Sequence, residues 1–306
     1  MPEISVKGTI GGKEFVLSTG KLAGQADGAV VARLGGTEML VTATANKKIR
    51  EGVDFFPLTV DFEERMYSVG KIPGSFFRRE GRPSEQAILT CRLIDRPLRP
   101  SFSDNYRNET HVVVTSLAVD QEIAFDVVAL NGASAALSVS PIPFQGPIGG
   151  VRLGLKKGEW IPFPTHTDLE ESVFELVVAG GRNSDGGIDI IMVEAGSTPN
   201  GLRLIAAGDT PSDESTVARG LEEAKAYIGD LIDLQNELTS KVEKKEVEWP
   251  IAIDYSDEIH QKVSAIAEPK LGSVVTIADK QERNAAEDDV LEAVVAELGL
   301  AEDDDE

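Results

Sequence analysis

The chain has 306 residues, of which 41% are hydrophobic and 27% charged. That is enough apolar material for a core, so disorder throughout is excluded, and the length points to two or three folding units. There is no run of about 18 apolar residues, so no membrane-spanning helix is expected. Met1 to Lys7 lacks a basic segment followed by an apolar one, so no secretory leader is expected. A single cysteine, Cys91, excludes an internal disulfide and a cysteine zinc cage. The expected compartment is the cytoplasm.

The net charge of −22 argues against a surface that binds polyanions everywhere. The charge is unevenly spread. Residues 209–306 hold 27 acids and 9 bases, whereas 1–208 hold 25 and 21. Within the first part, Arg65 to Arg107 carries 9 bases against 4 acids. A basic island in an acidic chain is a localised anion site.

In chain order, Ile4–Lys7 alternates as a strand and turns at Gly11-Gly12 into Glu14–Leu17. The run Gly8–Lys13 is one residue short of a P-loop and has Glu14 where that motif needs Ser or Thr, so it reads as the hairpin turn. Ala29–Leu34, Gly35-Gly36 and Met39–Thr44 form a second hairpin signature. Phe55–Phe62 is extended. Glycines and prolines at 70, 73, 74, 81 and 83 punctuate a loop. A helix then starts at Pro83-Ser84-Glu85, with Ile88, Leu89, Cys91 or Arg92, and Leu93 as its buried side and Pro97 as its stop.

His111–Val119 is strand-like, and Val127–Val139 is a helix of small residues suited to packing on a sheet. Strands resume at 149–155, 173–179 and 188–193, with 180–187 as a long hairpin loop. From 212 to 242 the period is helical, with Val217, Leu221, Ala224, Ile228, Leu231, Leu238 and Val242 on one stripe. Core packing is its default role. Lys244–Pro250 is a charged linker, 255–268 and 286–300 are helical, and the acidic tail Glu302–Glu306 is expected to fray.

The densest chemical signal is Pro73–Pro83, where Phe76 and Phe77 adjoin Arg78 and Arg79, with Arg82 nearby. Bases stack on aromatic faces and guanidinium groups chelate phosphates, so this loop has the chemistry to hold single-stranded nucleic acid without reading its sequence. The same residues could instead be a core Phe pair flanked by surface salt bridges. Arg92, Asp95, Arg96 and Arg99 follow at one-turn spacing. Asp95 reads as an ion-pair partner of Arg92 or Arg99, and the arginines as anion contacts, being too many for local acids to neutralise. His111, His166 and His260 have no metal-type spacing, and Cys91 reads as a small hydrophobe.

Several segments resemble the bacterial polynucleotide phosphorylase (polyribonucleotide nucleotidyltransferase) family. These are Asp54–Val60, Gly74–Glu85, Arg92–Pro100, Gly132–Leu137, Ile142–Gly149 and Thr276–Arg283. The resemblance runs in order from about residue 8 to about residue 300. It implies an α+β fold: an RNase PH-like (ribosomal protein S5 domain 2-like) β-α domain followed by a small all-α domain. The divisions would be 1–145 and 146–245 for the two subdomains of the first RNase PH-like domain, and 246–306 for the helical domain with its acidic tail.

The resemblance implies mRNA degradation by processive 3′-to-5′ phosphorolysis of single-stranded RNA, with inorganic phosphate as co-substrate and Mg2+ as cofactor. It also implies a homotrimeric ring, with other RNA-decay proteins as further partners and neither DNA nor a membrane. The chain resembles only the first RNase PH-like domain and the helical domain, and so reads as a fragment or truncated product. The family's catalytic site is expected in the absent second domain, with no catalytic residue here and the Mg2+ ligands outside this chain.

Phe76, Phe77, Arg78, Arg79 and Arg82 would then line the RNA channel, with Arg92, Arg96 and Arg99 as further phosphate contacts or structural support. Where the family cradles phosphate at a helix start, Asp126 is expected to act as N-cap and repel a second anion. Val177 stands where the family's metal site has a lysine. Asp168 and Glu175 are the residues a metal site here would use, but the acidic turn reads as solvated. The competing class is a non-catalytic RNA-binding and trimer-assembly scaffold.

Overall fold

A computed structural model describes residues 3–50, 52–74, 76–244, 247–252 and 255–299. Ser75, part of the charged linker and the acidic tail 302–306 lie outside the described residues. The chain divides into two compact units, Met1–Ile251 and Ala252–Glu306. Among the described residues, no helix is long and apolar enough to cross a membrane.

In the first unit, β1 (Ile4–Ile10) and β2 (Lys13–Thr19) form a hairpin, as do β3 (Gly28–Leu34) and β4 (Thr37–Ala45). With β5 (Leu58–Glu63) and β6 (Thr110–Ala118) they make a six-stranded sheet of order β1-β2-β3-β4-β6-β5. Only β5 and β6 are parallel. A parallel pair needs a long crossover, and here it carries the loop 71–83 and helix α1 (Glu85–Leu98). The second sheet is antiparallel, of order β10-β9-β7-β8, from β7 (Ile148–Lys156), β8 (Glu159–Pro162), β9 (Phe174–Arg182) and β10 (Ile188–Ser197). The β9–β10 loop is therefore shorter than the glycines suggest, because Gly180 and Gly181 belong to the strand.

Helix α2 (Asp126–Val139) is apolar on every side, and all fourteen of its residues are buried, as such a pattern requires. It packs against β3 and β4 of one sheet and β7 of the other. Close approach needs glycine. A Cβ on Gly28 would lie 2.1 Å from the Ala136 carbonyl oxygen, and one on Gly150 would lie 2.3 Å from a Leu130 methyl.

Strand β8 pairs only with Leu153–Lys156 of β7, leaving the first half of that edge without a strand partner. Side chains replace the missing strand. The Asn131 amide donates to the Gly150 carbonyl at 2.8 Å and accepts its N–H at 3.1 Å. Ser134 Oγ accepts the Ile148 N–H at 2.8 Å. From α5 (Glu214–Ser240), Gln235 donates to the Ile148 carbonyl at 2.9 Å. Phe163 N–H completes the edge on Arg152 O at 2.8 Å.

Helix α1 departs from expectation. Its buried side is Ala87, Thr90, Leu93, Ile94, Pro97 and Leu98, whereas Ile88 and Leu89 are 54% and 52% exposed. The helical period runs from Ala87 through Ile94 to Leu98, which turns 88 and 89 outward. Pro97 does not stop the helix, which ends one residue later and tightens into a 3-10 turn at Arg99–Ser101. Two short helices, α3 (His166–Glu170) and α4 (Gly201–Ala206), were not legible in the sequence.

The second unit pairs α6 (Asp257–Val274) with α7 (Lys280–Leu298). Helix α7 starts well before residue 286, because Asp279 caps it by accepting the Gln281 and Glu282 N–H groups.

Asp120 pins the turn between β3 and β4. Its carboxylate accepts the N–H groups of Gly36, Glu122 and Ile123 at 2.9, 3.0 and 3.3 Å and the Thr37 hydroxyl at 3.2 Å. Burial pushes this carboxyl up, but the hydrogen bonds outweigh it and hold it below the usual range. A depressed folded value means stability that is present above about pH 4 and lost as the pH falls through the folded value. Asp120→Asn should flatten the acid side of a melting-temperature profile between about pH 5 and pH 2. Asn131→Ala strands two buried backbone groups at about 1–3 kcal/mol each, so urea unfolding should show a loss of roughly that size or more.

Candidate nucleic-acid interface

Loop 71–83 leaves the 3-10 turn Met66–Val69 and ends at Ser84, whose Oγ accepts the Ala87 N–H at 3.1 Å and so caps α1. At its tip Phe76 and Phe77 are 94% and 70% exposed. The Phe pair is thus not a core pair. The rings meet edge to face, with centroids 5.4 Å apart, and the Arg79 guanidinium lies 4.9 Å from the Phe77 centroid. Arg78 holds a left-handed backbone at φ 52°. A groove of about 640 Å³ runs between Glu63–Met66 on one side and Pro73, Gly74 and Arg79–Ser84 on the other.

The predicted arginines fall into two sets. Arg78, Arg82 and Arg92 are exposed, and none makes an ion pair or hydrogen bond with another described residue; Arg79 makes only its ring contact. Arg96 and Arg99 are engaged within the fold. Arg96 pairs with Glu194 of β10. Arg99 grips Asp95 with two nitrogens, at 3.0 and 2.7 Å, and donates to the carbonyls of Phe56 and Leu58 at 2.8 and 3.2 Å.

A second cavity, of about 270 Å³, opens at the start of α2, lined by Gln86, Thr90, Asp126, Arg152, Glu175 and Glu194 among others. Asp126 is not the N-cap. Phe125 occupies that position without a side-chain bond, and Asp126 is the first helical residue, accepting the Val127 N–H at 2.7 Å. Its other oxygen pairs with Arg152, which also pairs with Glu175. Burial would lower the Arg152 guanidinium, but the two carboxylates outweigh it and hold it further up. Two carboxylates against one guanidinium leave an entering oxyanion facing net negative charge.

Asp168 is committed elsewhere, in a capping box with Thr165 and an ion pair with Lys156 at 3.0 Å. The Thr165 hydroxyl and Lys156 hold its carboxyl below the usual range. Glu171 shares Lys156 at 2.6 Å. Among the described residues, no three His, Cys, Asp or Glu side chains converge as a metal site. Asp168 and Glu175 are each held by a cationic side chain and are not brought together, so these two residues do not fit a divalent cation.

His111 Nε2 contacts Asp61 at 2.8 Å, and His260 stacks on Tyr255. Cys91 is half-buried, and burial pushes its thiol up.

Sequence reasoning missed Arg152, Glu64 and Glu80. Arg152 had a signal, as the one charge inside the apolar and glycine run Ile148–Leu155. Glu80 had one too, as an acid within a run of arginines.

Asp126→Ala breaks a partly buried pair but leaves Arg152 its Glu175 partner, so urea unfolding should show a loss smaller than the about 3–5 kcal/mol of a fully uncompensated buried charge. Soaking in phosphate or tungstate should leave no oxyanion at Asp126; a bound one would show that the cavity still accepts anions.

Residues 11–143 match the family model described as 3′ exoribonuclease family, domain 1. Residues 258–306 match the RNA binding domain of polyribonucleotide nucleotidyltransferase. Curated proteins named polyribonucleotide nucleotidyltransferase are similar along nearly the whole chain. The one from Streptomyces avermitilis is 50% identical over 95% of this chain and 40% of its own length. The one from Acidothermus cellulolyticus is 51% identical over 95% and 37%. The chain therefore spans about 40% of the length of the curated relatives it matches.

Among solved structures, rice (Oryza sativa) Rrp46 shares the fold with a TM-score of 0.57 at 14% identity, covering 78% of this chain and 95% of its own. A chain of the Archaeoglobus fulgidus exosome with RNA bound to the active site gives 0.53 at 14%, covering 76% and 87%. The α+β unit is thus RNase PH-like. With half its residues shared along nearly all of its length, the chain belongs to the polyribonucleotide nucleotidyltransferase family.

Proposed function

We propose that this chain serves mRNA degradation by processive 3′-to-5′ phosphorolysis, supplying the grip on single-stranded RNA. The observation that carries the reading is the loop tip. Two phenylalanines stand in solvent beside arginines that have no acidic partner among the described residues. Exposed rings are costly unless they meet a partner, and unstacked bases are a partner they suit. In the reaction, a phosphate oxygen attacks the terminal internucleotide phosphorus and the P–O3′ bond breaks. A nucleoside diphosphate leaves, with a new 3′-hydroxyl on the shortened RNA. Phosphate and Mg2+ would be held outside this chain, in the cytoplasm, within a homotrimeric ring open to other RNA-decay proteins.

A second reading is a non-catalytic RNA-binding and trimer-assembly scaffold. It is favoured by the cavity at α2, where Asp126 and Glu175 both occupy the partly buried Arg152 guanidinium. The two readings separate when the purified chain is given end-labelled single-stranded RNA, Mg2+ and phosphate. Bound RNA without nucleoside diphosphate supports the scaffold reading for this chain alone; phosphate-dependent release overturns it.

Phe77→Ala and Arg79→Ala should each weaken RNA binding about tenfold, the scale of one lost base stack. Binding should also fall steeply with salt, less so for Arg79→Ala. Arg99→Ala, which breaks a tie inside the fold, should lower the melting temperature and spare affinity. Unchanged affinity in the first two variants would remove the loop from the RNA path.

A further inference from the structure

We infer that Glu80 is a positioning residue for RNA, acting through the loop rather than on the ligand; this rests on the RNA reading of loop 71–83. A carboxylate among Arg78, Arg79 and Arg82 opposes phosphate, so charge does not account for it. Its hydrogen bond does. Glu80 Oε1 accepts the Met66 N–H at 2.9 Å. Met66 opens the 3-10 turn, so its N–H has no partner within that turn. The Met66 carbonyl in turn accepts the Lys71 N–H at 2.9 Å, closing the entry to the loop.

Among the described residues of 72–83, only Glu80 hydrogen-bonds to the rest of the fold. It is the chain neighbour of Arg79, whose guanidinium lies over Phe77. Fixing Glu80 therefore fixes the arginine–aromatic pair that meets the base. Glu64 secures the exit in the same way, accepting the Ser84 N–H at 3.0 Å and its hydroxyl at 2.8 Å. Two acids thus clamp the two ends of a basic loop, with their oxygens turned to backbone and hydroxyl donors.

The sign of the effect distinguishes positioning from plain electrostatics. Glu80→Ala removes both the charge and the acceptor; Glu80→Gln removes the charge and keeps the acceptor. Affinity for end-labelled single-stranded RNA would be measured for the full chain at several salt concentrations, with melting temperatures as the check on folding. Glu80→Ala should weaken binding about threefold to tenfold, the scale of one hydrogen bond, despite removing a negative charge. Its salt slope should not change, because the phosphate contacts are the same in number. Glu80→Gln should bind at least as tightly as the unaltered chain.

Equal or tighter binding by Glu80→Ala would overturn the inference, and so would a Glu80→Gln variant as weak as Glu80→Ala. Arg79→Ala in the same assay separates the two levels. If it binds as the unaltered chain does, the RNA reading has failed; if it weakens while Glu80→Ala does not, only the positioning role has failed.

Discussion

The half-covered edge of β7 is the constraint on which the first unit depends. A strand buried between helices cannot leave its N–H and C=O groups unpaired, and β8 reaches only its second half. Asn131, Ser134 and Gln235 stand in for the absent strand. The arrangement works only if α2 lies in van der Waals contact with β7, which glycine at position 150 allows. The same seating brings the start of α2 to Arg152 of β7, so the buried Asp126–Arg152 pair follows from the docking of one helix.

That docking separates two regions of different character. At α2 the charges are partly buried and paired with one another, two carboxylates to one guanidinium, which leaves little for a ligand anion. On loop 71–83 and α1 they are exposed and, for Arg78, Arg82 and Arg92, without an acidic partner among the described residues. The acids near the loop are turned to backbone donors at its ends, and Arg99 ties α1 to the start of β5. The basic island therefore contains both arginines tied into the fold, such as Arg96 and Arg99, and arginines without an acidic partner among the described residues, such as Arg78, Arg82 and Arg92.

The strands, both glycine hairpins, the small-residue helix and the aromatic–arginine loop were legible because their signals are local: alternation, turn chemistry, and Gly and Pro punctuation. The face of α1 was not. Ile88 and Leu89 are the more hydrophobic choice, yet Ala87 and Thr90 face inward, where small side chains let the helix lie close to β5. The role of Asp126 was half legible. Its place at a helix start could be read, but its partner Arg152 is 26 residues away along the chain.

By itself the sequence determined the α+β order of elements, the basic window from Arg65 to Arg107 and the family resemblance, all of which are properties of residue type and spacing. Only the tertiary structure decided which arginines are free and that Phe76 and Phe77 stand in solvent. It also decided that Glu80 accepts the Met66 N–H and that Arg152 meets Asp126 and Glu175 in the cavity at α2. Each of those outcomes depends on which distant side chain or backbone group lies within about 3 Å, and that distance is set by the packing of α1 and α2 on their sheets.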